Sequence, residues 1–135
     1  MSLPSILIII VIAVVILVMI SLANKTVPKG IDKVHFKNEW NDIALLANDP
    51  KTRPMSIINA DKLLDQALKC LGYGGDTMAQ RLISAKNQLR SRDEVWSAHK
   101  LRNKLVHESL LEPSEKTIKN ALKGYYKAFR DLGVF

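Results

Sequence analysis

The residues best suited to chemistry lie in one stretch, 93–108, which reads DEVWSAHKLRNKLVHE. On a helix that turns about 100° per residue, Arg102 falls within an apolar arc formed by Val95, Ala98, Leu101, Leu105 and Val106. An adjoining stripe holds Trp96, His99, Asn103 and His107. A guanidinium binds phosphate through charge-assisted hydrogen bonds, and an imidazole moves protons near neutral pH. The stretch therefore predicts an anion site in which Arg102 binds a phosphate and His107 moves a proton beside it.

An arginine within an apolar arc also requires an anionic or carbonyl partner. Asp61 lies at the edge of the apolar stripe of a helix predicted over 55–71, and Asp65 follows one turn later. In the purely structural interpretation, Arg102 pairs with Asp61, His107 is favoured by the helix macrodipole, and His99 is a polar residue at the helix edge. Both interpretations stay open, so Asp61, Asp65 and His99 are candidates either for anion contacts or for buried pairing.

The order Arg102-Asn103, three residues, His107 resembles the R-N-x3-H form of the R-x4–6-H motif of HEPN domains. The position of the motif is also similar, because it lies late in a penultimate helix and precedes a last helix that begins at Pro113-Ser114. The resemblance covers roughly residues 54–135.

The resemblance implies a four-helix bundle that forms a homodimer and brings two copies of the motif together in a cleft. Many HEPN domains are metal-independent endoribonucleases, whereas others bind nucleotides or partner proteins without catalysis. In the catalytic scheme, His107 would act as general acid and base on the ribose 2′-hydroxyl or the leaving oxygen. Arg102 would hold the scissile phosphate, and Asn103 would orient the phosphate or His107.

The sequence predicts neither a metal site nor a cofactor. No cluster of His and Cys has the spacing of metal ligands, and the one cysteine, Cys70, is expected to be a small packed residue. Residues 72–77 (GYGGDT) contain glycines but lack the lysine and the preceding strand of a phosphate-binding loop. They predict a left-handed helix stop followed by an N-cap at Asp76 or Thr77.

Apolar spacing predicts an all-α fold, because no alternating strand pattern of useful length occurs. Five helices are predicted. In chain order they cover about 33–48, about 55–71, a segment whose apolar residues run from Met78 to Leu89, about 93–108, and a segment from Pro113 onward. The last four, of about 13 to 20 residues each, predict a small antiparallel four-helix bundle. The segment 33–48 would be one extra juxtamembrane helix.

The first 24 residues carry no charged side chain. Within them, an uncharged run extends from Leu3 to Ala23, and its residues from Ile6 to Ile20 are all apolar. As a helix this run would span about 30 Å, close to the thickness of a bilayer core. This run predicts a transmembrane helix. The alternative is a cleaved signal peptide, for which Ser21 and Ala23 supply small residues at the cleavage site. The absence of a preceding Lys or Arg and the long apolar core favour a retained anchor.

Lysines 25, 29, 33 and 37 follow the apolar run. A positive flank stays in the cytoplasm, so we expect a single-pass protein of the cell membrane with its N-terminus outside and its C-terminal domain in the cytoplasm. The predicted organisation is a transmembrane anchor (1–24), a linker with a juxtamembrane amphipathic helix (25–53) and a HEPN-like helical bundle (54–135).

The chain has 20 Lys and Arg against 13 Asp and Glu, a net charge of +7. Such a basic domain suits RNA, a nucleotide or anionic lipid as a partner. One hypothesis is a membrane-tethered ribonuclease that acts on cytoplasmic RNA. The alternative is a non-enzymatic helical module that binds nucleic acid, a nucleotide or a protein at the membrane. A lesser possibility is a module that binds anionic lipid through the Lys/Arg face of the last helix.

Overall fold

The computed structural model describes residues 2–23 and 30–135, and both parts are helical. The helices are α1 (Leu3–Ala23), α2 (Lys33–Leu46), α3 (Arg53–Cys70), α4 (Met78–Ser84), α5 (Arg92–His107) and α6 (Glu115–Asp131). No strand occurs in these two ranges. The prediction of an all-α fold is thus confirmed for them, whereas Lys25 and Lys29 of the predicted linker lie outside the described residues.

Helix α1 consists of 21 residues without a charge. Its segment Leu3–Ile20 has a mean hydropathy of 3.4. Large apolar side chains along it are exposed, for example Leu7 and Leu17. The helix is long and apolar enough to cross a membrane, a property that signal sequences near an N-terminus share.

Helix α2 is capped by Asp32, whose carboxylate accepts a hydrogen bond of 3.0 Å from the backbone N–H of His35. One face of α2 is apolar, and Phe36 and Ile43 on it are buried in the same core as the helices that follow. Trp40 packs edge-on against Phe129 of α6, with ring centroids 5.6 Å apart. The predicted juxtamembrane helix is therefore part of the core of the domain.

Helix α3 buries the apolar stripe that its spacing predicts, including Ile57, Leu64 and Leu68, which have no exposed surface. The helix ends at Cys70, and Gly72 follows with φ +84°, a value that favours glycine. The backbone N–H of Tyr73 reaches back to the carbonyl of Leu68, as in a Schellman motif. The predicted left-handed stop is confirmed.

Helix α4 comprises only seven residues, far fewer than its apolar spacing predicts. Thr77 caps it by accepting a hydrogen bond from the N–H of Gln80, as expected. After Ser84 the chain continues in turns, and these turns still bury Ala85 and Leu89 against the core. The apolar spacing was correct about the burial of Leu82, Ala85 and Leu89, but wrong about helix length and about Ile83, which is 56% exposed.

Helices α5 and α6 run antiparallel and make close contact. Near one end, the N–H and hydroxyl of Ser91 donate to Asp131, at 2.9 and 2.7 Å. One turn further, Lys127 pairs with Glu94 at 2.8 Å. The helices approach so closely at Gly124 that an added Cβ would lie 2.9 Å from the carbonyl oxygen of Glu94. Glycine is therefore required at this point of contact.

Contacts between the helices define two ends of the domain. Arg53 lies 3.9 Å from Glu115, so α3 and α6 begin near each other. At the opposite end, Phe36 near the start of α2 packs against Phe129 near the end of α6. We call residues 31–37, 86–92 and 129–135 the linker end, because α2 begins there. Residues 47–53 and 107–116 form the far end.

Candidate functional site

Asp61 lies in the interior of the domain, with 2% of its surface exposed. Its Oδ1 accepts hydrogen bonds from the hydroxyl of Tyr125, at 2.9 Å, and from Nδ1 of His99, at 2.8 Å. Burial raises the pKa of Tyr125 far above its usual range, and the negative charge of Asp61 raises it further. The tyrosine therefore stays a neutral donor. One carboxylate thus connects α3, α5 and α6.

Arg102 is the third partner of this carboxylate. Its Nε lies 3.5 Å from Oδ2 of Asp61, and this nitrogen is buried without a hydrogen bond of good geometry. Nη1 donates to Oδ1 of Asn103 at 3.0 Å. The arginine side chain retains 35% of its exposure, so one edge of the guanidinium is covered by Asp61 while another part faces outward. The expected pairing of Arg102 with Asp61 is thus observed as a close ionic contact.

Asn103 closes the arrangement into a ring. Its Nδ2 lies 3.4 Å from Nε2 of His99, so the order of contacts is Asp61, His99, Asn103, Arg102 and back to Asp61. These partners favour the tautomer in which Nδ1 of His99 carries the proton and Nε2 accepts. His99 is only 6% exposed. The expectation that it is a helix-edge residue was therefore wrong, whereas the buried pairing that was its alternative is observed with Asp61.

Asp65 does not join the ring. Arg81 of α4 binds it through Nε at 2.6 Å and Nη2 at 3.1 Å, and Lys69 pairs with it at 3.0 Å. Burial by itself raises the pKa of Asp65, but the hydrogen bonds from Arg81 and Lys69 outweigh it and lower the pKa below its ordinary value. Arg81 also donates to the carbonyl of Gly75. This pair fixes α4 and the loop before it against α3.

The pocket beside the ring has a volume of about 550 Å³, and small-molecule sites commonly measure about 300–1,000 Å³. It lies between α3, the start of α4 and α5. All four members of the ring line it, together with the exposed Lys62 and the Asp65–Arg81 pair; its lining includes Asp61, His99, Arg102, Asn103, Asp76 and Thr77. Since Arg81 is committed to Asp65, Arg102 and Lys62 are the cations available to a bound anion.

His107 is placed apart from this pocket. It is the last residue of α5, it is exposed, and it is not among the residues that line the pocket beside Arg102. A separation of five residues on an α-helix corresponds to a rotation of about 140°, which directs the two side chains to different sides of α5. Within one chain, the structure therefore brings Arg102 together with Asn103, His99 and Asp61, and not with His107.

Two features of the site were not assigned from the sequence. Tyr125 of the last helix is one of them, because nothing in the sequence assigns a partner to its hydroxyl. Arg81 was not singled out, although its side chain is 9% exposed and paired. The one sequence feature that could have identified them is a tyrosine or arginine at a buried helical position, since such a residue needs a partner and an aspartate on another helix could supply it.

Cys70 is exposed, so the expectation that it is a packed residue was wrong. The cysteine is the last residue of α3, and its neighbour Lys69 is exposed as well. No group of three or more His, Cys, Asp or Glu residues able to hold a metal ion occurs in ranges 2–23 and 30–135.

Comparison of the chain with protein-family models, with curated proteins and with solved structures gave no match.

Proposed function

We propose that this protein is a membrane-anchored helical module that binds the phosphate of RNA or of a nucleotide through Arg102. The observation that carries the proposal is the position of this guanidinium. Asp61 and Asn103 orient it, while part of the side chain stays exposed at a pocket of about 550 Å³. An oriented arginine that retains free donors is well suited to a phosphate.

The HEPN-like arrangement is part of this proposal. Helices α2, α3, α5 and α6 would be the four helices of the bundle, with α4 as a short connector. This assignment is supported by the contacts of α2 with α3 and of α3 with both α5 and α6. It replaces the assignment in which the 33–48 helix is an addition to the bundle. The partner of the bundle would be a second copy of this chain, in the homodimer that the family resemblance implies.

The anchor is proposed to be α1, which spans the cell membrane once with the N-terminus outside and the helical domain in the cytoplasm. The length and apolarity of α1 support the span. The lysines that follow it support the orientation. In this location, cytoplasmic RNA and nucleotides would have access to the pocket.

The test is a comparison of variants of the full chain in detergent micelles. Arg102→Ala should weaken binding of a short RNA or a nucleotide by roughly 10- to 100-fold, since a hydrogen bond to a charged group contributes about 1.5–3 kcal/mol. Lys100→Ala, an exposed lysine on the same helix, is the matched control and should change affinity little. Equal affinity of the Arg102→Ala and unaltered proteins, both folded, would show that the pocket is not the binding site.

The second candidate is a metal-independent endoribonuclease, which is favoured by the exposure of His107 on the same helix as Arg102. Because the two side chains point to different sides of α5, catalysis would need His107 of one protomer to approach Arg102 of its partner. Asn103 would then orient the phosphate. The full chain would cleave RNA in EDTA and leave cyclic phosphate ends, and His107→Ala would abolish cleavage while RNA binding persisted. Binding without cleavage would leave the binding module as the function.

A further inference from the structure

We propose that the linker end of the domain docks on anionic lipid headgroups of the membrane that holds α1. The inference rests on the proposed membrane anchor and goes beyond it, because it assigns a surface of the helical domain to the lipid. It is independent of the pocket at Arg102.

The charge of the domain is distributed unevenly between its two ends. The linker end carries six exposed basic side chains and two acidic residues; the basic ones are Lys33, Lys37, Lys86, Arg90, Arg92 and Arg130. The two acids are already engaged, since Asp32 caps α2 and Asp131 accepts from Ser91. Asp93 borders this surface, and its neighbour Glu94 is paired with Lys127.

The far end has no such excess. It carries three basic residues, Lys51, Arg53 and Lys116, against four acidic ones, Asp49, Glu108, Glu112 and Glu115. Arg53 is also paired with Glu115. Of the two ends, the linker end is therefore the one whose net positive charge attracts anions.

The chain itself keeps the linker end close to the lipid. Only residues 24–32 separate α1 from α2, and an extended chain of this length spans about 30 Å. Such a short tether holds the basic surface at a high effective concentration near the headgroups. Attraction of a basic segment to an anionic leaflet acts over about one Debye length, roughly 8 Å at physiological ionic strength.

An exposed apolar residue lies within this basic surface. Val34 is 71% exposed in the first turn of α2, between Lys33 and Lys37. An apolar side chain flanked by lysines suits the headgroup region, where it enters the lipid while the ammonium groups contact phosphates. This composition favours a lipid surface over free phosphate as the occupant.

The experiment uses the full chain in vesicles and the single cysteine of the protein. Cys70 is exposed and is the last residue of α3. Because α3 begins at the far end, its last residue lies toward the linker end. A donor fluorophore on Cys70 reports distance to acceptor-labelled lipid headgroups. The reference protein is Cys70→Ser/Ser109→Cys, which places the same donor on the exposed far end.

In vesicles of phosphatidylcholine with phosphatidylglycerol, we expect greater energy transfer from residue 70 than from residue 109. The difference should shrink in pure phosphatidylcholine, and also as salt rises from about 0.1 M to about 1 M, where the Debye length falls to about 3 Å. Lys33→Glu/Lys37→Glu should weaken docking by about 25-fold or more, since each lysine contributes a factor of about five. The control Lys51→Glu/Lys116→Glu makes the same change of charge at the far end and should leave docking intact.

Equal transfer from both positions, or a difference that pure phosphatidylcholine preserves, would overturn the proposal. So would a Lys33→Glu/Lys37→Glu protein that keeps its lipid proximity and loses RNA affinity, because the basic end would then bind RNA. Alkaline extraction of the same vesicles tests the anchor separately. A chain that is retained without docking rejects only this inference, whereas a released chain rejects the anchor.

Discussion

The hydroxyl of Tyr125 on α6 donates a hydrogen bond of 2.9 Å to Oδ1 of Asp61 on α3, although 64 residues separate the two in the sequence. Both residues are buried, and the same oxygen also accepts from His99 on α5. A charged carboxylate in the interior is tolerated only when its partners satisfy it. The three longest-range contacts of the site therefore depend on one side chain.

Removal of the Tyr125 hydroxyl should destabilise the domain. Tyr125→Phe keeps the buried ring and deletes one donor to a charged acceptor, so we expect a loss of about 1.5–3 kcal/mol in the free energy of unfolding. Urea unfolding of the full chain in micelles measures it, with fluorescence of Trp40 and Trp96 reporting on the domain. Tyr126→Phe, at a residue 39% exposed, is the control and should unfold like the unaltered protein. An unchanged midpoint for Tyr125→Phe would contradict the role assigned to its hydroxyl.

Deletion of the Asp61 carboxylate should cost more than deletion of any one partner. Asp61→Ala leaves Tyr125, His99 and Arg102 without their acceptor, and we expect a loss of about 3–5 kcal/mol. A double-mutant cycle with Arg102→Ala measures their coupling, and the combined loss should be smaller than the sum of the two single losses. Strict additivity in this cycle would show that the 3.5 Å contact has no energetic importance.

Gly124→Ala should destabilise the α5–α6 contact, although alanine is the better helix former. The new Cβ would lie 2.9 Å from the backbone oxygen of Glu94, and backbone cannot move aside as a flexible side chain does. We expect a cost of about 1–3 kcal/mol, as for other overpacked positions. Gly74→Ala is the control, because nothing lies within 4 Å of its added Cβ. Thermal unfolding distinguishes them, and a Gly124→Ala protein as stable as Gly74→Ala would disprove the close approach.

Part of the stability should depend on pH through Asp65. Arg81 and Lys69 hold the pKa of this carboxyl below its ordinary value of 3.8 despite its burial. The folded state therefore binds the proton less tightly than the unfolded state does. The stabilisation is fully present above about pH 4 and is lost as the pH falls through the lowered native pKa.

Asp65→Asn should accordingly be less stable than the unaltered protein at neutral pH, and the difference should shrink as acid is added. Denaturant unfolding at a series of pH values measures this dependence. Glu112→Gln, which removes an exposed carboxylate, is the control and should run parallel to the unaltered protein at every pH. A gap for Asp65→Asn that stays constant down to low pH would exclude the carboxylate as its source.

Much of the fold could be predicted from local features. The apolar spacing of α3 gave its buried face, Thr77 gave the N-cap of α4, and Gly72 gave the helix stop, because each depends on residues within one or two turns. The length of α4 could not be predicted this way. Apolar periodicity records which residues are buried, and turns after Ser84 bury Ala85 and Leu89 as well as a helix would.

The site shows the same division. The sequence by itself determined that Arg102 lies within an apolar arc, because helical geometry fixes which residues share a face. It also determined that this arginine needs an anionic partner, for which Asp61 was available, because an unpaired buried charge has a high free-energy cost. Only the tertiary structure decided that His99 and Tyr125 converge on the same carboxylate. Such convergence depends on how α3, α5 and α6 pack, and packing between helices distant in sequence leaves no periodic trace within any one of them.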